Sequence, residues 1–369
     1  MKKTQKALPP AEQNKSYKRV VLGFFSSKIS GKMVVNFDKV VERHQIEWRT
    51  KHIQYKEQGV QNGVRRQWIL PEKCWEDGLW EGIKESLLEY LKPDNSKKEG
   101  IQRHKGCHNL KSSWMLCANL YFPFRDDKEI LAGFLNKYIS DKIRSVDGIE
   151  LEYEHSKLKP AVLLGEPEGT RGANQTSPDV AFIVNGGKGL ILTENKYTEH
   201  SFYPCSGRKP EYNNPDIRRC LDIEKVLVNP KGICYMNVWA TGGKGRTNRR
   251  YWGFIRFSEN AKKTLKRCPA ATAGYQLFRQ QALAEGIAKR GDYDFVISCV
   301  AYDKNNRALI GCLKSTGIED FRTGWGGLFR GKAGFACFSH QEFIKYVREN
   351  DLKGKWKSWQ QYINDRYGY

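Results

Sequence analysis

Three residues of this chain have the types and spacing for chemistry on phosphate esters. Asp179 follows Pro178, and after fourteen intervening residues Glu194 and Lys196 flank Asn195. Glu194 and Lys196 close the strand-like run Leu190-Ile-Leu-Thr-Glu-Asn-Lys196 and, two apart, project from one face of it. Pro178-Asp-Val-Ala-Phe-Ile-Val184 is a second such run, and the Gly-rich Asn185-Gly-Gly-Lys-Gly189 between them reads as a hairpin turn. Antiparallel pairing then brings the Asp179 carboxylate beside Glu194. Two carboxylates with the carbonyl of Asn195 nearby make an all-oxygen pocket of the kind Mg²⁺ takes, with Mn²⁺ as a substitute. A lysine at its edge can orient water and stabilise the charge that builds on phosphorus.

These residues need a scaffold, and the flanking sequence supplies its elements. Asp126 to Val146 predicts a helix, capped by Asp126 or Asp127, with Ile130, Leu131, Phe134, Leu135, Tyr138, Ile139 and Ile143 on one face. Ile149-Glu-Leu-Glu-Tyr153 alternates as a strand does, and Ala161-Val-Leu-Leu164 is a short apolar run. Residues 274–290 predict a helix and 293–301 a buried strand. Cys74 to Leu91 predicts an amphipathic helix ended by Pro93, and Gln341 to Arg348 a further helical pattern. Residues 198–270 are polar, and too long for one structureless loop in a compact domain. The order predicts an α/β fold with a central mixed sheet flanked by helices.

Composition narrows the function class. Of 369 residues, 63 are Lys or Arg and 41 Asp or Glu, a net charge of +22, and 12% are aromatic. That excludes a wholly disordered chain and points to a polyanionic partner, nucleic acid before membrane. No apolar run is long enough to cross a bilayer, and the N-terminus does not read as a signal peptide, so a cytoplasmic protein is expected. The densest basic loop holds Lys244, Arg246, Arg249 and Arg250, expected to contact phosphates, with Tyr251 or Trp252 to stack on a base. The ten cysteines contain no CxxC pair and read as reduced thiols. A zinc site through Cys205, Cys220 and others stays open. Gly326-Gly-Leu-Phe-Arg-Gly-Lys-Ala333 falls short of a phosphate-binding loop because it lacks the Ser or Thr that would hold Mg²⁺.

Pro178-Asp179 with Glu194-Asn195-Lys196 resembles the motif of the PD-(D/E)xK nuclease superfamily. The predicted helix 126–146, strands near 148–154, 178–184 and 189–196, helix 274–290 and strand 293–301 follow that superfamily's core order, over roughly residues 109–302. The resemblance implies a restriction-endonuclease-like core with N- and C-terminal extensions. It makes Asp179 and Glu194 metal ligands, together with Asn195, and Lys196 the catalytic lysine. An upstream acid is implied as well, with Glu154 favoured over Glu152 and Glu129. Gln276 and Gln280 would fill a glutamine motif on the following helix. Residues 1–108 would be an accessory region with a basic arm, 109–302 the core with an insertion at 198–270, and 303–369 a C-terminal extension. The flanks would serve substrate selection and dimer contacts. The implied activity is metal-dependent DNA endonuclease of restriction or defence type, on duplex DNA first. A catalytically silent nucleic-acid binder and an RNA-processing nuclease are the alternatives.

Overall fold

Five short segments build the sheet. In the computed structural model β1 (Val146–Leu151), β2 (Val180–Val184), β3 (Gly189–Lys196), β4 (Phe295–Tyr302) and β5 (Gly334–Ser339) lie side by side in that order. β1, β2 and β3 pair antiparallel, whereas β3–β4 and β4–β5 are parallel, so the sheet is mixed. The structure describes residues 36–92, 103–104, 106–168, 175–210, 214–238, 248–291 and 293–369.

Side chains at odd and even positions enter different cores. Phe182, Ile191, Cys299 and Phe338 face one apolar layer, and Ala181, Leu190, Leu192, Val296 and Val300 the other. β3 is buried along its whole length, as expected of a central strand covered on both faces. Helices α1 (Phe37–His52), α2 (Glu81–Leu91), α3 (Ser113–Tyr121), α4 (Glu129–Tyr138), α6 (His340–Asn350) and α7 (Lys357–Tyr367) contribute to the first layer. Helix α5 (Tyr275–Arg290) and the short turns around it form the second.

The fold class, a mixed sheet between helices with terminal extensions, is as expected, and four elements differ in detail. The helix expected over 126–146 spans only Glu129–Tyr138 and has Lys128, not Asp126 or Asp127, at its N-cap. Ile143 is buried on the same side without being helical, because Asn136 Nδ2 holds the Asp141 and Ile143 carbonyls in a turn. The helix expected over 74–91 is broken into a 3₁₀ segment, Glu72–Gly78, and α2. Asn119 fixes the break: its Oδ1 accepts from Trp80 N at 2.8 Å and its Nδ2 donates to Gly78 O at 3.0 Å. Ala161 to Leu164 belongs to a short helix, Pro160–Leu164, and β5 was not foreseen.

Both termini of the described unit pack on the core. Residues from Phe37 to Tyr369 form one compact unit. Gln45 Nε2 on α1 donates to Arg366 O on α7 at 2.6 Å, and Trp359 Nε1 donates to Asn119 O at 2.8 Å. Tyr369 OH donates to Asp303 Oδ2, just beyond β4, at 2.6 Å.

Candidate active site at the end of strand β3

The β2–β3 register decides the site. Val180 lies opposite Thr193, so Asp179 stands at the level of Glu194. Asp179 Oδ2 accepts from Asn195 N at 2.6 Å, which pins the carboxylate across the end of the hairpin. Lys196 Nζ lies 2.8 Å from Glu194 Oε1 and 3.9 Å from Glu199 Oε1. Lys196 is only 3% exposed. The structure therefore brings Asp179, Glu194 and Lys196 together on the α5 side of the sheet.

Burial and like charge dominate the electrostatics. Burial first, then the charges of Glu194 and Glu152, push the Asp179 carboxyl well above the usual carboxylate range. Burial alone would lower Lys196, but Glu194, Glu199 and Asp179 outweigh it and hold the ammonium above its ordinary pKa. Four acids, Asp179, Glu152, Glu194 and Glu199, against one ammonium leave an imbalance that a divalent cation would offset. Among the described residues no three His, Cys, Asp or Glu side chains are grouped to hold a metal on their own. Mg²⁺ does not need them, because it takes one or two carboxylates and keeps several waters. Asp179 and Glu194 are hard oxygen donors that suit it. Asn195 directs its side-chain amide to Ser113 O at 2.8 Å, so only its main chain faces the pair.

The upstream acids fall in different places. Glu154 is paired with Lys159 Nζ at 3.0 Å and accepts from Gln175 Nε2 at 2.5 Å. Glu129 is exposed at the start of α4. Glu152 is buried, has φ +48° in the left-handed region, and donates its N–H to Asp179 O at 2.9 Å. It lies just past the last paired residue of β1, a place set by the pairing with β2.

The glutamines separate as well. Gln280 is consumed by the sheet, its Nε2 donating to Leu192 O, Ser298 Oγ and Cys299 O. α5 runs back against the parallel strands it joins, so one turn toward its start, about 5.4 Å, matches two residues forward along β3, about 6.6 Å. Gln276 therefore stands at the level of Glu194. Its Oε1 is buried and accepts no hydrogen bond among the described residues.

Several supporting groups were not anticipated. Fully buried His340 bonds Lys196 O through Nε2 at 3.0 Å. The acceptor is a carbonyl, so Nε2 carries the proton, and burial holds the neutral ring down to a pKa of about 4. A capping box, Ser339 with Glu342, seats His340 at the start of α6. Asn306 Nδ2 bonds Tyr197 O and Glu199 O, both at 2.9 Å, and so fixes the chain leaving β3. Tyr203, 49% exposed with φ +55°, holds its ring 5.7 Å from Lys196 Nζ.

Of the basic loop, Lys244 and Arg246 lie outside the described residues. Arg249 Nη1 donates to Gly165 O at 2.7 Å, and Arg250 Nη2 reaches Ala161 O and Val162 O, so both guanidinium groups cap the short helix 160–164. Tyr251 and Trp252 are buried and do not stand ready to stack on a base. Tyr251 OH donates to Glu166 and Trp252 packs on Phe278, because apolar bulk in this loop is used by the second core.

No described helix is long and apolar enough to cross a membrane. A family model described as restriction endonuclease associating with ARP matches residues 42–368. Searches of curated proteins and of solved structures returned no match.

Proposed function

Since the chain belongs to the family of restriction endonucleases associating with ARP, we propose that it is a Mg²⁺-dependent nuclease hydrolysing phosphodiester bonds of DNA at Asp179, Glu194 and Lys196. The carrying observation is the juxtaposition at the end of β3, where the Asp179 carboxylate is pinned by Asn195 N–H beside the buried Glu194–Lys196 pair. Asp179 and Glu194, with main-chain oxygen of Asn195, would hold the ion. When bound it supplies Lewis acidity toward the phosphoryl oxygen and lowers the pKa of water.

The protein's own groups do the rest. Lys196 keeps its charge in a buried setting, so it acts as an electrostatic stabiliser of the pentavalent phosphorus and as an orienter of the attacking water, not as a base. His340 and Asn306 fix the main chain on either side of Tyr197 and so keep the ammonium in register. Glu152 adds negative charge next to Asp179 and is our choice for the upstream acid. Gln276, level with Glu194, would present its amide to the substrate or to the water. A role in restriction or defence follows from the family.

The test is cleavage of supercoiled plasmid with Mg²⁺ or Mn²⁺ by wild type, Asp179→Asn and Lys196→Met. Removing Lys196 leaves Glu194 buried without its partner, so folding of each variant is checked by circular dichroism. Metal-dependent nicking that falls at least about 10²-fold in both folded variants is expected. DNA binding without cutting by wild type would replace the nuclease with a silent binder.

A further inference from the structure

A short hairpin projects from the chain that follows α1, and its base is fixed to the body of the protein. Val60–Gln61 and Val64–Arg65 pair antiparallel around Asn62 and Gly63, whose φ angles of +53° and +76° make the two-residue turn that an Asn-Gly pair favours. A ribbon this small is not stable alone. Buried Arg49 on α1 holds its two legs: Nη1 donates to Gln67 O at 2.5 Å and Ile69 O at 3.1 Å, and Nη2 donates to Glu57 O on the other leg. Gly59 N donates to Ile69 O at 2.8 Å, and a Cβ added at Gly59 would lie 2.0 Å from Leu70 O. The legs therefore close to a distance that only glycine permits.

Beyond that clamp the ribbon is exposed from residue 60 to residue 67, Val60 and Val64 included. Arg65 and Arg66 form no ion pair among the described residues, whereas Lys111, which shares the Trp68 ring with Arg66, is paired with Asp38 and Glu42. The ribbon also stands at the catalytic end of the sheet. Gln61 Oε1 accepts from Asn109 Nδ2 at 3.4 Å, and Asn109 O accepts from Ser112 N at 2.9 Å. The carbonyl of the next residue, Ser113, accepts the Asn195 side-chain amide at 2.8 Å. One turn of chain thus separates Gln61 from the end of β3. We propose that hairpin 59–66 enters the major groove of duplex DNA, with Arg65 and Arg66 on phosphates and Asn62 at the tip against base edges. The inference rests on DNA as the substrate and names the element that grips it. A two-stranded ribbon, its strands about 4.8 Å apart, fits a groove about 12 Å wide. The asparagine amide matches the donor and acceptor of adenine, and exposed valines suit the thymine methyl. Because Arg49 has already ordered the base, little freedom is lost on binding.

The test measures binding of the full chain to a fluorescein-labelled duplex by anisotropy, in metal-free buffer across a salt series, so it does not depend on cutting. The double variant Arg65→Ala/Arg66→Ala is expected to melt as wild type does, since both side chains are exposed. Its slope of log affinity against log salt is expected to fall by about 1.8, for two lost phosphate contacts, with binding weaker by roughly 10- to 30-fold near 0.15 M salt. Lys353→Ala/Lys355→Ala, past the far end of α6, removes the same charge and is expected to leave the slope as it was. Asn62→Gly keeps the turn and loses the amide. It is expected to hold affinity for a mixed-sequence pool while flattening the sequences enriched from that pool. A double variant that binds with the wild-type slope, or a wild type that binds single strands or RNA but not duplex DNA, overturns the proposal. The hairpin effect without any cleavage by wild type overturns the nuclease reading and leaves this one standing.

Discussion

At the residue scale the candidate site is a set of acids held close together. Asp179 is buried against Glu194 and Glu152, and its folded pKa is raised. A raised carboxyl stays protonated in the folded chain after the unfolded chain has ionised, so metal-free stability falls as pH rises above the ordinary carboxylate range. Asp179→Asn is therefore expected to raise the melting temperature of metal-free protein, by more at pH 8 than at pH 5. Mg²⁺ is expected to stabilise wild type and not the variant, and scanning calorimetry with and without Mg²⁺ checks both. His340 has the opposite sign. With its pKa lowered from 6.5 to about 4, its contribution is complete above the unfolded value and is lost as pH falls from there toward 4. The loss is on the order of 3 kcal/mol. Urea titrations between pH 4 and 7 should show this slope, and His340→Asn should flatten it.

At the scale of elements, α5 combines a structural amide with a candidate functional one. Gln280 satisfies the Leu192 and Cys299 carbonyls, so Gln280→Ala is expected to cost about 1–3 kcal/mol of stability. Gln276→Ala is expected to leave stability within about 0.5 kcal/mol and to lower cleavage instead. Paired urea melts and plasmid assays separate the two, and equal stability losses would remove Gln276 from the site. Elements also show where periodicity misleads. Ile143 continues the apolar face of α4 from a turn, and the break before α2 is imposed by Asn119, thirty-nine residues beyond Trp80.

At the scale of the whole molecule, the terminal segments brace the sheet. α7 buries Trp359, Ile363 and Tyr367 and directs Arg366 onto Gly78 O. Three such side chains account for about 5–9 kcal/mol of burial, comparable with the entire net stability of a typical domain. A chain ending after Trp356 is expected to lose its cooperative melting transition, followed by circular dichroism. A truncated chain melting at the wild-type temperature would show that α7 is dispensable. His340 and Tyr369 carry this bracing to the end of the sheet that holds the candidate site, through Lys196 O and Asp303.

Short-range order was legible in the residues themselves. The Asn185–Gly189 turn, the apolar strand-like runs of β2 and β3 and the two-residue spacing of Glu194 and Lys196 are properties of the local chain, so the hairpin and the Asp179–Glu194–Lys196 set were legible from the sequence. Long-range partners decided the rest. Glu152 lies beside Asp179 because β1 ends there, and His340 meets Lys196 because β5 adds to β4. β5 itself, Gly334–Ser339, has no periodicity of its own and becomes a strand only where the exposed edge of β4 offers it hydrogen bonds. A sequence records which residues can do chemistry; packing between segments far apart selects which of them meet.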